Sequence, residues 1–166
     1  MKKTIASLVC VGVMAIGGVA HAQSLSGSSG ALTGSLNLRQ TLTSPLACSV
    51  NSIPYGITGG VGQTTANVTP PFNRSLCTGV VGLGVKMLGN WTITATGGSN
   101  LLISGVHVQA LSGVCGGSTA SITGTLTSAN TISIPFQTIP GTAGGSSVPC
   151  ELEGTVVSSS AITIIP

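Results

Sequence analysis

The chain contains very few charged residues. Only 4% of its 166 residues are Asp, Glu, Lys or Arg, whereas soluble domains usually contain about a quarter. It has no aspartate, and its two acidic residues are Glu151 and Glu153. Binding to phosphate backbones requires clustered Lys and Arg, but the few basic residues here are scattered along the chain. We therefore expect no nucleic-acid partner.

The shortage of acids and bases also argues against an enzyme. A hydrolase needs a nucleophile beside a base, and His107 is the single histidine after the N-terminal segment. Strand alternation places His107 on a polar face between Val106 and Val108. Glu151 and Glu153 resemble a glycosidase pair, but such carboxylates approach the sugar from opposite sides, so a charged, solvated edge strand fits them better. We predict no catalytic, metal-binding or cofactor-binding residues, and no cofactor.

Serine, threonine and glycine replace the missing charges, so hydroxyls and backbone amides must hydrate the surface. Such a surface repels its own copies weakly. The expected partners are therefore other copies of the chain, in an oligomer or a fibre, or an apolar surface such as a hydrocarbon.

The N-terminus is typical of a cleavable secretory signal. Two lysines precede an apolar run that ends in the small-x-small sequence Ala20-His21-Ala22. We expect cleavage after residue 22 and export to the periplasm, the cell surface or the medium. The mature chain then has a flexible lead at 23–30 and a single β-domain at 31–166, with no membrane-spanning segment.

Four cysteines follow the signal, at Cys48, Cys77, Cys115 and Cys150. An even number of cysteines in an exported chain indicates disulfides. Zinc is the alternative, but no pair has C-x-x-C spacing and His107 stands alone.

Period-two alternation between Gly, Pro and Ser/Thr turns predicts an all-β antiparallel fold, either a sandwich or a barrel. The clearest hairpin places Ile122 and Leu126 on its dry face and, after a turn at 128–130, continues through Ile132, Ile134 and Phe136. Trp91 is interpreted as a core anchor. The other predicted strands are Leu32–Leu42, Leu46–Ile53, Gln63–Phe72, Val80–Leu88, Trp91–Thr96, Leu101–Leu111 and Ile162–Ile165, and 140–149 is expected to be a mobile loop.

Two segments of the chain share one order of short motifs. Residues 48–77 and 115–150 each contain Cys, Ile-Thr-Gly, Ala-Asn, Pro-Phe and Cys in that order. This predicts two similar halves, about 31–97 and 98–166, each tied by its own disulfide. The favoured pairs are Cys48–Cys77 and Cys115–Cys150, although composition alone also explains such a likeness.

Several motifs follow one another in a characteristic order: the signal, Cys48 after an alternating strand, "SLC" at Cys77, "LGNWTITAT", "VHVQALSGVC" and "VPCELEGTVVSSSAITII". In this order the chain resembles the exported activators of alkane oxidation, the PraB-like family of proteobacteria. The resemblance implies a secreted, cofactor-free accessory protein that supports growth on hydrocarbon and acts at the cell surface or a hydrophobic interface.

A structural subunit of an extracellular fibre or matrix is the alternative. The alternating segment "ALTGSLNL", with Leu32, Leu36 and Leu38 on one face, is suited to complete a neighbour's sheet by strand addition. The Thr-x-Thr runs at 92–96 and 123–127 predict a ladder of hydroxyls suited to ordered water or sugar.

Overall fold

The structure is a computed structural model that describes residues 23–40, 46–58, 65–68, 85–110 and 113–165. These residues form β-strands and no helix, so the all-β prediction is confirmed. No helix long and apolar enough to cross a membrane occurs in these ranges. The predicted signal peptide and Cys77 lie outside them.

The strands have the following bounds: β1 Ser24–Gly27, β2 Gly30–Gln40, β3 Leu46–Thr58, β4 Thr65–Val68, β5 Lys86–Met87, β6 Trp91–Gly97, β7 Asn100–Ser104, β8 His107–Ala110, β9 Gly113–Gly116, β10 Ser121–Ser128, β11 Thr131–Ile139, β12 Gly141–Ala143, β13 Ser146–Ser147, β14 Cys150–Ser158 and β15 Ile162–Ile165.

Eight of these strands close into an antiparallel barrel in the order β10-β11-β14-β2-β3-β4-β6-β7, with β7 pairing back to β10. Of the two architectures that the sequence left open, the described strands thus adopt the barrel. The first half of the chain supplies four adjacent strands, β2, β3, β4 and β6, and the second half supplies the other four.

Alternating apolar residues fill the barrel. Leu36, Leu101 and Ile132 are buried, and Trp91 is 6% exposed, which confirms its position in the core. A wholly apolar cavity of about 30 Å³, with room for little more than one water molecule, remains beside Leu36, Trp91 and Ile132. The side chains themselves therefore occupy the interior, as in other small barrels.

A second sheet, in the order β13-β12-β9-β8-β5, lies beside the barrel. Its β12 and β13 form a hairpin within 140–149, where a mobile loop was expected. The predicted strand Leu101–Leu111 is interrupted at Gly105 and Val106, so its first part joins the barrel as β7 and its second part joins this sheet as β8.

The segment 23–30 differs from the flexible lead expected from its composition. Ser24–Gly27 forms β1, which pairs in antiparallel register with β15 near the end of the chain. Leu25 is buried at 5% exposure and Ile162 at 2%, so apolar burial gives this segment a defined position despite its serines and glycines.

Candidate functional site

The site is built around Phe136, which sequence alternation placed in the core. In the structure Phe136 is 60% exposed, so that prediction is wrong. In the register between β11 and β14, Ile134 pairs with Gly154 and Gln137 pairs with Leu152. Two residues, 135 and 136, therefore stand opposite Glu153 alone. This β-bulge reverses the alternation, because it adds one residue between Ile134 and the strand that follows.

The side chain of Gln137 completes the hydrogen bonding at the bulge. Pro135 has no N–H to donate to β10, the neighbouring strand. Instead, the Gln137 Oε1 accepts a hydrogen bond from the backbone N–H of Thr123 at 2.6 Å, and the Gln137 Nε2 donates to the Thr123 carbonyl at 2.7 Å. The Thr123 hydroxyl also donates to Oε1, at 3.0 Å. A side-chain amide thus replaces a peptide group in the β10–β11 pairing.

Polar side chains surround the exposed ring on the outer face of the barrel. A depression of about 160 Å³ is lined by Asn37, Arg39, Phe136, Glu151, Leu152 and Glu153. Arg39 faces Glu151 across the β2–β14 pair, with Nη1 and Oε2 3.7 Å apart, and the Asn37 Nδ2 donates to the Glu153 Oε1 at 3.3 Å. Because the two side chains of the ion pair are 49% and 23% exposed, they remain accessible to a ligand.

The sequence suggested an edge strand for Glu151 and Glu153, but in the structure they do not lie on one. Strand β14 pairs with β11 on one side and with β2 on the other, so it is internal to the sheet. The two carboxylates share the outer face of this central strand. Both carboxylates lie next to Arg39 in the structure, although Arg39 is far from them in the sequence.

A row of hydroxyl residues crosses the same face. The register pairs Thr125 with Ser133, Ser133 with Thr155, and Thr155 with Ser35, across strands β10, β11, β14 and β2. Neighbouring strands in a sheet are about 4.8 Å apart, which sets the spacing of the row. The sequence predicted hydroxyl ladders along single strands, at 92–96 and 123–127, whereas this row runs across strands.

Two glycines bring β2 and β14 close together beside this row. Gly34 has a φ of +148° and Gly154 one of +155°. A Cβ atom at Gly34 would collide with the Thr155 carbonyl, and one at Gly154 would collide with the Ser35 carbonyl. Only residues without a side chain fit this approach.

Three of the four cysteines that follow the predicted signal, all except Cys77, lie in the described ranges. Cys115 in β9 and Cys150 in β14 form the favoured disulfide, with Cα atoms 5.7 Å apart, so neither is free to bind zinc. Cys48 lies in β3. Its predicted partner, Cys77, falls outside the described part of the chain, and the Cys48–Cys77 bridge stays a prediction.

The remaining candidates lie away from this face. Leu32, Leu36 and Leu38, the possible strand-donor residues, are buried on β2 inside the chain's own barrel. His107 is half-buried on β8 in the second sheet. In the described ranges, no three His, Cys, Asp or Glu side chains cluster as metal ligands would.

Sequence reasoning missed Asn37, Arg39, Phe136 and Gln137 as members of one site. The available signal was Pro135, because a proline inside a strand pattern often marks a bulge. No protein-family model matches the chain, and no match was found among curated proteins or solved structures.

Proposed function

We propose that the mature protein is an exported, non-catalytic accessory protein that acts through the outer face of its barrel. It works at the boundary between the cell surface and a hydrophobic substrate, where it supports the use of alkanes. The alkane part of this proposal rests on the resemblance of the sequence motifs to the PraB-like family.

The filled interior is the observation that carries the proposal. Ligand pockets usually enclose about 300–1,000 Å³, whereas the cavity among the described core side chains has about 30 Å³. The exposed ring, the carboxylates and the hydroxyl row all lie outside the barrel instead. A protein with this distribution of side chains works by contact at its surface rather than by carrying a ligand inside.

The low charge of the outer face supports action at an interface. Apart from the three charged residues Arg39, Glu151 and Glu153 and the side chains of Asn37 and Phe136, this face is built largely from Ser and Thr. Hydroxyl groups lose less hydration free energy than ions when water is partly removed, so a face of this kind approaches oil or another surface at a lower cost than a charged one.

Adsorption to oil tests the proposal directly. We expect the purified mature protein to lower the hexadecane–water tension in drop-shape measurements, and the double variant Ser35→Lys/Thr155→Lys to do so much less. The matched control, Thr96→Lys/Ser99→Lys, adds the same charge at exposed positions of β6 and the turn after it, four strands away from β14 in the barrel order, and should behave as the wild type. No change in tension with the wild-type protein, together with unimpaired growth of a deletion strain on hexadecane, would overturn the proposal.

Strand addition in a fibre is less well supported as the main function. Its candidate donor strand, β2, already pairs with β14 and β3 of the same chain. Donation to a neighbour would require the barrel to open and expose Leu32, Leu36 and Leu38.

We also propose that the chain is organised as two related halves, each of which supplies four neighbouring strands of the barrel. We further propose that the first half carries a Cys48–Cys77 bridge in the oxidised exported protein. Export after cleavage of residues 1–22 provides the oxidising compartment that both bridges need.

A further inference from the structure

We infer that the depression around Phe136 binds a neutral polysaccharide, with one pyranose ring stacked on the Phe136 side chain. The inference rests on the proposed action at the cell surface and names a partner for it there. The site consists of Phe136 with Asn37, Arg39, Glu151 and Glu153.

The exposed ring supplies the apolar part of the site. An aromatic face is electron-rich, so it attracts the partly positive C–H groups on one side of a sugar ring. Because Phe136 is 60% exposed, a partner that covers its phenyl ring gains the free energy of removing that apolar surface from water. Its position is also held in place, because the bulge directs it outward and the Gln137 amide closes the bulge against Thr123.

The surrounding groups supply hydrogen bonds in both directions. The Arg39 guanidinium has five N–H donors, the Asn37 amide both donates and accepts, and the carboxylates only accept. The contacts within the site are long, 3.7 Å for Arg39–Glu151 and 3.3 Å for Asn37–Glu153, so most of this capacity stays available. Sugar hydroxyls donate and accept at neighbouring positions, which matches such a mixed set.

Other ligands fit these groups less well. Two carboxylates beside one guanidinium leave a net negative charge, which repels an anionic polymer. An alkane at this position would cover the charged groups without giving them hydrogen bonds. A peptide could not add as a strand, because β11, β14 and β2 each have partners on both sides.

The hydroxyl row gives the site room for more than one sugar. Thr155 lies two residues beyond Glu153 on the same face of β14, and Ser35 and Ser133 flank it on the neighbouring strands. Two residues along a strand cover about 6.8 Å. A linear glycan stacked on Phe136 therefore reaches the row with its next units.

Calorimetric titration with four neutral hexasaccharides, made of β-1,4-glucose, α-1,4-glucose, β-1,4-xylose and β-1,4-mannose, tests the inference. A galacturonic acid hexamer serves as the anionic comparison. We expect at least one neutral probe to bind, the Phe136→Ser variant to bind it at least tenfold more weakly, and Phe136→Trp to retain binding. Glu153→Gln, which keeps the size of the side chain but removes its charge, should weaken binding severalfold.

The control is Ile165→Ser, which removes another exposed large apolar side chain, 45% exposed on β15, and should bind as the wild type. Thermal melts of each variant confirm that it is folded. Binding that survives Phe136→Ser, stronger binding of the galacturonic acid hexamer, or no binding of any neutral probe would each overturn the inference. If no neutral probe binds but the protein still adsorbs to hexadecane, the inference fails while the proposed function is unaffected.

Discussion

Gln137 shows how one side chain maintains the pairing of two strands beside the β-bulge. Its amide carries both a donor and an acceptor, which are the groups that a regular strand residue would offer to Thr123. The same Nε2 also donates to the Pro135 carbonyl at 3.1 Å. Because these bonds span the irregular stretch, Phe136 can point outward without leaving a gap in the β10–β11 pairing.

Replacing Gln137 with Ala should therefore lower the free energy of unfolding. The variant loses the bonds to Thr123, each worth about 0.5–1.5 kcal/mol, and we expect a total loss of about 1–2 kcal/mol because the site is exposed to water. Urea unfolding followed by tryptophan fluorescence measures the change.

Thr138→Ala is the matched comparison, since Thr138 is the next residue of β11 and its side chain is exposed. It should change the unfolding midpoint only slightly. Equal unfolding midpoints for the two variants would show that the Gln137 amide does not stabilise the protein by replacing a peptide group in the β10–β11 pairing.

Alternation predicted the inward side chains of this hairpin correctly up to the bulge and failed beyond it. Ile122, Ile132 and Ile134 are buried as expected, whereas Phe136 is exposed and Ile139 is buried instead. The reversal depends on the register with β14, which follows in the chain only after the intervening β12–β13 hairpin. The apolar alternation along one strand contains no information about that register, and Pro135 is the local sign in the sequence that the register changes there.

At the scale of elements, the shared Ala-Asn motif does not occupy equivalent positions in the two segments. Ala129-Asn130 forms the turn between β10 and β11, whereas Ala66-Asn67 lies inside β4 and pairs with Ile57 and Gly56 of β3. Both halves nevertheless supply four adjacent strands to the barrel. The Ala-Asn pairs therefore give no residue-by-residue match between the two segments, and the organisation into two similar halves stays a prediction.

Strand β1 gives the clearest test at this scale. Its Leu25 is buried, and β1 packs against β3, β4 and β6 as well as pairing with β15. Deleting residues 23–27 should lower the free energy of unfolding by about 2–4 kcal/mol, comparable to the loss of a buried leucine contact. Denaturant unfolding of the mature protein with and without this segment provides the measurement.

The full-length variant Leu25→Ala separates the side chain from the backbone pairing and should show a large part of the loss. Electron microscopy of the same samples addresses the fibre alternative. We expect discrete particles from both proteins, since the strands of the barrel are already paired. Filaments in the wild type that vanish after the deletion would instead support strand addition through the N-terminal segment.

At the scale of the whole molecule, one disulfide joins the barrel to the five-stranded sheet. Cys115 belongs to β9 in the smaller sheet and Cys150 begins β14 in the barrel. Both residues are 0% exposed, and Gly141 packs against the Cys150 sulfur so closely that a Cβ there would lie 2.6 Å from it. The prediction of this pair from the repeat was correct, although the bridge connects two sheets rather than the ends of one repeated unit.

Removing the bridge should destabilise the whole fold. The sequence separation of 35 residues corresponds to about 4 kcal/mol of lost chain entropy in the unfolded state. We expect the Cys115→Ala/Cys150→Ala protein to lose about 3–4 kcal/mol in urea unfolding, while Cys48→Ala/Cys77→Ala measures the second predicted bridge in the same assay.

Because the Cys115–Cys150 sulfurs are buried, dithiothreitol should reduce this bridge in the folded protein only as fast as the barrel and the smaller sheet separate. Mass spectrometry of alkylated thiols measures the rate of reduction. Rapid reduction without unfolding would show that the smaller sheet moves away from the barrel while the barrel stays closed.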